Sequence, residues 1–91
     1  MPKGLIGEPA WDMLLALYSE EPAKLTVSSV CYGSGVPQST AMRWIAILER
    51  QKLVRRVQHP RDERIILLSL AEDGRLLVER ALKAMLRVFR G

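Results

Sequence analysis

The spacing of apolar residues changes twice along this chain of 91 residues, and these changes restrict the possible folds more than any other feature. In residues 9–50 and again in residues 71–90, apolar side chains follow the period of a helix with one buried face. Between these regions, residues 53–57 and 64–70 are rich in β-branched and apolar types and flank a polar bend. They predict a β-hairpin with a long loop. The order helix, helix, helix, hairpin, helix predicts a single α+β domain over residues 1–91.

Helix start and stop signals divide the first half of the chain into three helices. The first begins at Pro9 and ends before Pro22, because the residue preceding a proline avoids the α conformation. Thr26 is a good N-cap for a short second helix, which the glycine-containing residues 33–35 interrupt. Pro37 then opens the third helix.

The second and third helices match the general pattern of a helix-turn-helix. That pattern has a small residue in the first helix, a glycine four positions later, an apolar residue next, and spaced buried positions in the second helix. The corresponding residues are Cys31, Gly35, Val36, Ala41 and Trp44. Gly35 supplies the positive φ that a tight interhelical turn often needs. With the hairpin as a wing and a C-terminal helix behind it, the predicted fold is a winged helix-turn-helix.

The positive charge of the chain is concentrated in one segment. Residues 50–64 contain six basic and two acidic side chains, a net charge of +4, which equals the net charge of the whole chain. A charge localised in this way is typical of a surface that binds a polyanion. A basic hairpin that is simply solvated is the alternative interpretation.

Several classes of protein are excluded by the residues that the chain contains. The N-terminus has no long apolar segment and no stretch is long enough to span a membrane, so we expect neither a signal peptide nor a membrane partner. The single cysteine, Cys31, cannot form an internal disulfide, which favours a cytoplasmic location. One cysteine and one histidine, His59, do not make an ordinary zinc site, and no phosphate-binding glycine loop is present. A nucleophilic Cys31–His59 pair is disfavoured because Cys31 occupies a small buried position. We expect no cofactor and no enzymatic activity.

From residue 25 to residue 74 the sequence resembles the MarR family of bacterial winged-helix repressors. The family's wing ends in Asp-x-Arg, followed by several β residues and then Leu-Thr-x-x-Gly. This chain has Asp-Glu-Arg at residues 62–64 and, at the same spacing, Leu-Ala-Glu-Asp-Gly at residues 70–74. Three positions depart from the pattern. Lys52 replaces the glycine that precedes Leu-Val, and Ala71 replaces a threonine that would cap the last helix. Glu63 stands where the family often has a second basic residue.

The resemblance implies that the start of the third helix reads DNA bases. The residues expected there are Gln38, Ser39, Thr40 and Arg43. Glutamine can bond adenine, arginine can bond guanine through two hydrogen bonds, and hydroxyls can bond bases or phosphate. For Ser39 and Thr40, simple helix capping is the alternative.

For the wing, the resemblance places Arg64 in the minor groove, with Asp62 orienting it through an ion pair. The alternative is an exposed salt bridge of little consequence. The further candidates for phosphate contact are His59, Arg61, Arg55 and Arg56. For Arg55 and Arg56, a solvated strand face is an equally good interpretation.

The final helix carries apolar residues over a wider arc than a small domain needs, which predicts a homodimer through the terminal helices. A long helix packed only on its own domain is the alternative. These features together predict a sequence-specific regulator of transcription that binds double-stranded DNA as a repressor by occluding a promoter. A winged-helix protein-interaction module of a larger assembly is the leading alternative, and an RNA-binding winged helix is the third.

Overall fold

The computed structural model describes residues 9–90 and confirms the predicted winged helix-turn-helix architecture. Its elements in chain order are α1 (Pro9–Glu20), β1 (Leu25–Thr26), α2 (Val27–Gly33), α3 (Gln38–Arg50), β2 (Val54–Gln58), β3 (Ile66–Leu70) and α4 (Glu72–Arg90). In this described part, no helix is both long and apolar enough to cross a bilayer.

The sheet has three antiparallel strands in the order β1-β3-β2. The predicted hairpin is formed by β2 and β3, which pair from Val54 opposite Leu70 to Gln58 opposite Ile66. The short strand β1 pairs with the other edge of β3 and places Leu25 opposite Leu68. The sequence did not predict β1, because two residues are too few to show a period. This strand attaches the wing to the segment that leads into α2.

The helix-turn-helix is fixed by the local signals that the sequence contains. The hydroxyl oxygen of Thr26 accepts a hydrogen bond from the Ser29 backbone N–H at 3.0 Å, which confirms the predicted N-cap of α2. Gly35 has the expected positive φ, 73°, in the turn between α2 and α3. Cys31 is buried and its Sγ lies 3.6 Å from Sδ of Met42 on α3, so a small side chain does allow the two helices to approach.

The core lies between the sheet and the inward faces of α1, α2, α3 and α4. Its largest fully buried side chains are Met13, Leu14, Ile45, Leu48, Leu68 and Val78. Trp11 is buried, whereas Trp44 and Tyr18 are half-buried and pack against the core from its edge. The three aromatic residues therefore serve packing, and the free surface of α3 is left to its polar side chains.

The C-terminus of α3 ends in a Schellman motif centred on Lys52. The Leu53 N–H donates to the Leu48 carbonyl at 3.0 Å and the Lys52 N–H donates to the Glu49 carbonyl at 2.9 Å. The motif requires left-handed backbone at Lys52, where φ is 61°. This geometry explains why the family pattern has glycine at this position.

Gly74 is required by the close approach of α4 to the end of this motif. The Leu53 carbonyl accepts the Ala71 N–H at 2.9 Å, which brings the start of α4 against Leu53. A Cβ on Gly74 would overlap the Leu53 carbonyl oxygen and lie 3.2 Å from Cδ2 of Leu70. The spacing from Leu70 to Gly74, which this chain shares with the family pattern, thus places the glycine at the backbone contact between α4 and Leu53.

Polar side chains join α4 to α1 and to the connection that follows it. Arg75 donates from Nε and Nη2 to the two carboxylate oxygens of Glu21, at 2.9 and 2.7 Å. The Tyr18 hydroxyl donates to Glu79 at 3.2 Å. From Lys83 to Phe89, the side chains of α4 are exposed. The apolar ones with the greatest exposure are Leu86, Val88 and Phe89.

Candidate nucleic-acid interface

The exposed face of α3 carries a row of hydroxyl and guanidinium groups. The buried residues of the helix are Ala41, Ile45 and Leu48. On the opposite face, Ser39, Arg43 and Arg50 are exposed, and at 100° per residue their directions agree to within about 40°. Arg50 was not among the predicted site residues, although its spacing of seven from Arg43 was the signal for it.

The two other predicted residues of α3 lie on its flanks. Gln38 is exposed on the side that faces the wing, where it borders a cleft together with Arg56 and Arg64. Thr40 is half-buried on the other side. The N-cap position of α3 is occupied by Pro37, so neither Ser39 nor Thr40 is the capping residue considered as the alternative.

In the wing, the carboxylate of Asp62 accepts three hydrogen bonds from Arg64. It accepts from Nε at 3.1 Å, from Nη2 at 3.2 Å and from the Arg64 backbone N–H at 3.0 Å. The hydrogen bonds from the Arg64 side chain and backbone favour the carboxylate and lower the pKa of Asp62 below its ordinary value. The Arg64 side chain is nevertheless 90% exposed. The pair holds a guanidinium in one orientation while leaving it open to a ligand.

His59 has a structural position within the wing loop. Its Nδ1 accepts the backbone N–H groups of Arg61 at 3.0 Å and Asp62 at 3.2 Å. The Ile65 carbonyl accepts the His59 N–H at 3.1 Å, closing the loop at its base. Because Nδ1 is an acceptor, the neutral ring carries its hydrogen on Nε2, and only that nitrogen remains for a phosphate. Arg61 is exposed at the tip.

Arg55 and Arg56 point to opposite faces of the sheet, because successive strand side chains alternate. Arg56 shares the face of the buried Val54 and donates from Nε to Glu49 of α3 at 2.6 Å. Arg55 is exposed on the other face. The structure therefore brings Arg56 together with α3 and separates Arg55 from it.

Two adjoining clefts connect these elements into one surface. The first, of about 420 Å³, runs between α3 and the wing and is bordered by Gln38, Arg56 and Arg64. The second, of about 350 Å³, lies between α2 and α3 and is bordered by Tyr32 and again by Gln38. Sequence reasoning missed Tyr32, which is 91% exposed. Within residues 9–90, no cluster of three or more His, Cys, Asp or Glu side chains is placed to hold a metal ion.

The geometry agrees with what comparison to known proteins shows. A model of the MarR family matches residues 4–65, more than half of the chain. The chain belongs to the MarR family. The predicted resemblance, which was based on the helix-turn-helix and the wing, is thereby confirmed.

Solved structures similar to this MarR-family chain include two of MepR from S. aureus. A MepR mutant from a multidrug-resistant clinical isolate is 26% identical with a TM-score of 0.75, over 79% of this chain and 52% of that one. The MepR–DNA complex is 25% identical with a TM-score of 0.81, over 93% of this chain and 68% of that one. The transcriptional regulator Tm0710 from Thermotoga maritima shares the fold. It is 21% identical with a TM-score of 0.85, over 96% of this chain and 59% of that one.

The chain spans about half to two thirds of the length of these solved structures. No curated protein sequence matches it significantly.

Proposed function

We propose that this MarR-family chain is a cytoplasmic transcriptional regulator that binds double-stranded DNA in a sequence-specific manner. The observation that carries the proposal is the cleft between α3 and the wing, which is bordered by Gln38 on the helix and by Arg64, with its exposed side chain, on the wing. A helix with exposed polar residues next to a projecting basic hairpin fits a major groove and its neighbouring minor groove. The MepR–DNA complex, with the same fold, supports this choice of ligand.

In this proposal α3 reads the bases. Arg43 is exposed in the first half of the helix and would bond a guanine through two hydrogen bonds. Gln38 and Ser39 would contact the bases on the wing side and at the centre of the groove, and Thr40 would contribute from the flank. Arg50, about 10 Å further along the helix axis at 1.5 Å per residue, would reach a phosphate where the helix leaves the groove.

The wing supplies the second group of contacts. Arg64 would enter the minor groove, where negative potential is concentrated, with Asp62 holding its orientation. Arg61 would contact phosphate from the tip, and His59 would do so through Nε2 while its Nδ1 orders the loop. Arg56 would add a phosphate contact from the cleft despite its ion pair with Glu49. Arg55 lies on the other face of the sheet, so any contact that it makes with phosphate would lie outside this cleft.

We propose further that residues 1–91 form a single domain and that two copies bind a two-fold-symmetric site. The exposed apolar side chains of α4, Leu86, Val88 and Phe89, support a homodimer through the terminal helices, because exposed apolar surface of this kind usually marks an interface. A dimer of this kind bound within a promoter would repress transcription by excluding the polymerase.

The decisive experiment is a fluorescence-anisotropy titration of random and selected genomic duplexes at several salt concentrations. We expect affinity to fall steeply with salt, because several phosphates are neutralised. Arg43→Ala should reduce discrimination between selected and random DNA, whereas Arg61→Ala should weaken both about equally. Arg80→Ala removes an exposed arginine from the outer face of α4 and serves as the matched control, with little effect expected.

Absence of duplex binding at low salt would overturn the proposal and favour a protein-interaction module. Tighter binding to double-stranded RNA than to DNA would favour the RNA-binding alternative. Equal loss on both DNAs for Arg43→Ala would place that residue on the phosphate backbone.

A further inference from the structure

Tyr32 is the most exposed large side chain with apolar character in the described part of the chain, at 91%. The core side of α2 is occupied by the buried Val30 and Cys31. Tyr32 lies on the opposite side of the helix, and the exposed Ser28 precedes it by one turn. Packing within the domain therefore gives no reason for an aromatic ring at this position.

Tyr32 belongs to the same continuous surface as the recognition helix. The cleft that it borders is also lined by Ser28 and Gln38, and both of these residues line the cleft of the wing as well. A ligand that lies across Gln38 and reaches Arg64 on one side would cover Tyr32 on the other. A duplex in the major-groove orientation is such a ligand, because the first helix of a helix-turn-helix crosses the DNA backbone.

We infer that Tyr32 contacts one DNA strand at the edge of the major groove, a role that rests on the proposed function. The phenol O–H donates a hydrogen bond to a phosphate oxygen, and the ring covers the adjacent deoxyribose. Ser28, one turn earlier on the same face, provides a second hydroxyl for the same strand. Hydrogen bonds to phosphate and sugar fix the register of the protein on the duplex and carry no base information.

The inference is tested with Tyr32→Phe and Tyr32→Ala in the same anisotropy titration. Tyr32→Phe, which removes only the hydroxyl, should weaken binding about threefold to tenfold, the equivalent of one hydrogen bond. Tyr32→Ala should weaken it further, because the ring is lost too. Selected and random duplexes should be affected equally. The slope of log affinity against log salt should not change, since a neutral hydroxyl releases no counterion, whereas Arg61→Ala should reduce that slope by about 1.

Tyr18→Phe is the matched control, because it deletes the chain's other phenol oxygen at a site between α1 and α4. It should leave DNA affinity unchanged. Thermal melting of both Tyr32 variants should match the wild type, since the side chain is exposed. If the wild type binds DNA and Tyr32→Ala binds equally well, Tyr32 is exposed for another partner and the inference is overturned. If the wild type itself fails to bind, the proposed function has failed instead.

Discussion

Asp62 holds both Nε and Nη2 of Arg64, at 3.1 and 3.2 Å, while the Arg64 side chain stays 90% exposed. Such a contact restricts the direction of a guanidinium without burying it. Exposed ion pairs contribute little to folding stability. We therefore expect this pair to affect ligand binding by Arg64 more than the stability of the domain.

Arg64→Ala should therefore separate stability from binding. The melting temperature should stay within about 2 °C of the wild type, because an exposed pair is lost. DNA affinity should fall roughly fivefold to a hundredfold, the usual effect of losing a specific contact. Calorimetry and anisotropy measure the two quantities. Unfolding of the variant, with normal binding by any folded fraction, would show that the pair is structural.

Asp62→Asn is the companion variant. It replaces the Oδ2 acceptor of Nη2 with an amide donor and so loosens the orientation of the arginine without removing the arginine's charge. The loss of affinity should therefore be smaller than for Arg64→Ala. A larger loss would mean that Asp62 contributes more than orientation.

Gly74→Ala should destabilise the domain by about 1–3 kcal/mol, because the new methyl group overlaps the Leu53 carbonyl oxygen and the backbone must move. Gly33→Ala is the matched control, since no atom beyond its chain neighbours and its own helix backbone lies within 4 Å of its Cβ position. The control should be neutral or stabilise by up to about 1 kcal/mol, as alanine favours helix. Equal urea midpoints for the two variants would contradict the close approach of α4 to Leu53.

Lys52→Gly should stabilise the domain by about 0.5–1 kcal/mol, because lysine is strained at a φ of 61° and glycine is not. The neighbouring Gln51 has a φ of −82°, so Gln51→Gly should have the opposite sign. Chemical denaturation of the two variants gives the comparison. A loss of stability in Lys52→Gly would show that the lysine side chain makes a compensating contact.

The sequence predicted most of the fold because its signals are local. Thr26 as N-cap, Gly35 with positive φ and the period change near residue 52 each depend on a few neighbouring residues. The strand β1 was not predicted, because its pairing with β3 joins residues more than forty positions apart, such as Leu25 and Leu68. Lys52 was noticed as a departure from the family pattern, but only the backbone showed that it adopts the glycine conformation.

The contact between Arg75 and Glu21 should make stability depend on acidic pH. The two hydrogen bonds from Arg75 lower the pKa of Glu21 below its ordinary value of 4.5. A carboxyl group with a lower pKa in the folded state stabilises that state above its unfolded pKa, and the contribution is lost as pH falls through the folded value.

Glu21→Gln should accordingly lower the melting temperature by a few degrees at pH 7, roughly the effect of one charged hydrogen-bonded pair. The difference from the wild type should shrink as the pH falls below about 4.5 and Glu21 itself becomes protonated. Melting curves from pH 7 to pH 3 measure this. A difference in melting temperature that does not depend on pH would mean that the contact stabilises the domain through packing and not through the charge of Glu21.

Replacing Leu86 and Phe89 with serine should convert the proposed dimer to monomer while the helix-turn-helix stays folded, because both side chains are largely exposed. Leu82 is a poorer target, since it packs against the core of its own domain. Sedimentation velocity at micromolar concentration gives the assembly state, and circular dichroism monitors folding. A wild-type chain that is already monomeric would remove the two-fold-symmetric site from the proposal.

The candidate site was less predictable than the fold. Arg43 and Arg64 could be selected from helix position and from the wing pattern, but exposure and side-chain partners depend on contacts between elements. The separation of Arg55 from Arg56 requires the strand register, and the ion pair of Arg56 with Glu49 requires the packing of β2 beside α3. Tyr32 gave no signal, because an exposed tyrosine in a short helix has the same local sequence as a buried one.

The two hydrogen bonds from the wing backbone to Nδ1 of His59 have a consequence for the free-energy cost of recognition. A loop that becomes ordered only when DNA arrives loses roughly 1–2 kcal/mol of conformational freedom per residue at that moment. Here the imidazole holds residues 59–62 in shape beforehand, so much of that loss is already incurred during folding. The wing can then meet the duplex in a conformation that is ready to bind, and more of its contact energy is retained as affinity.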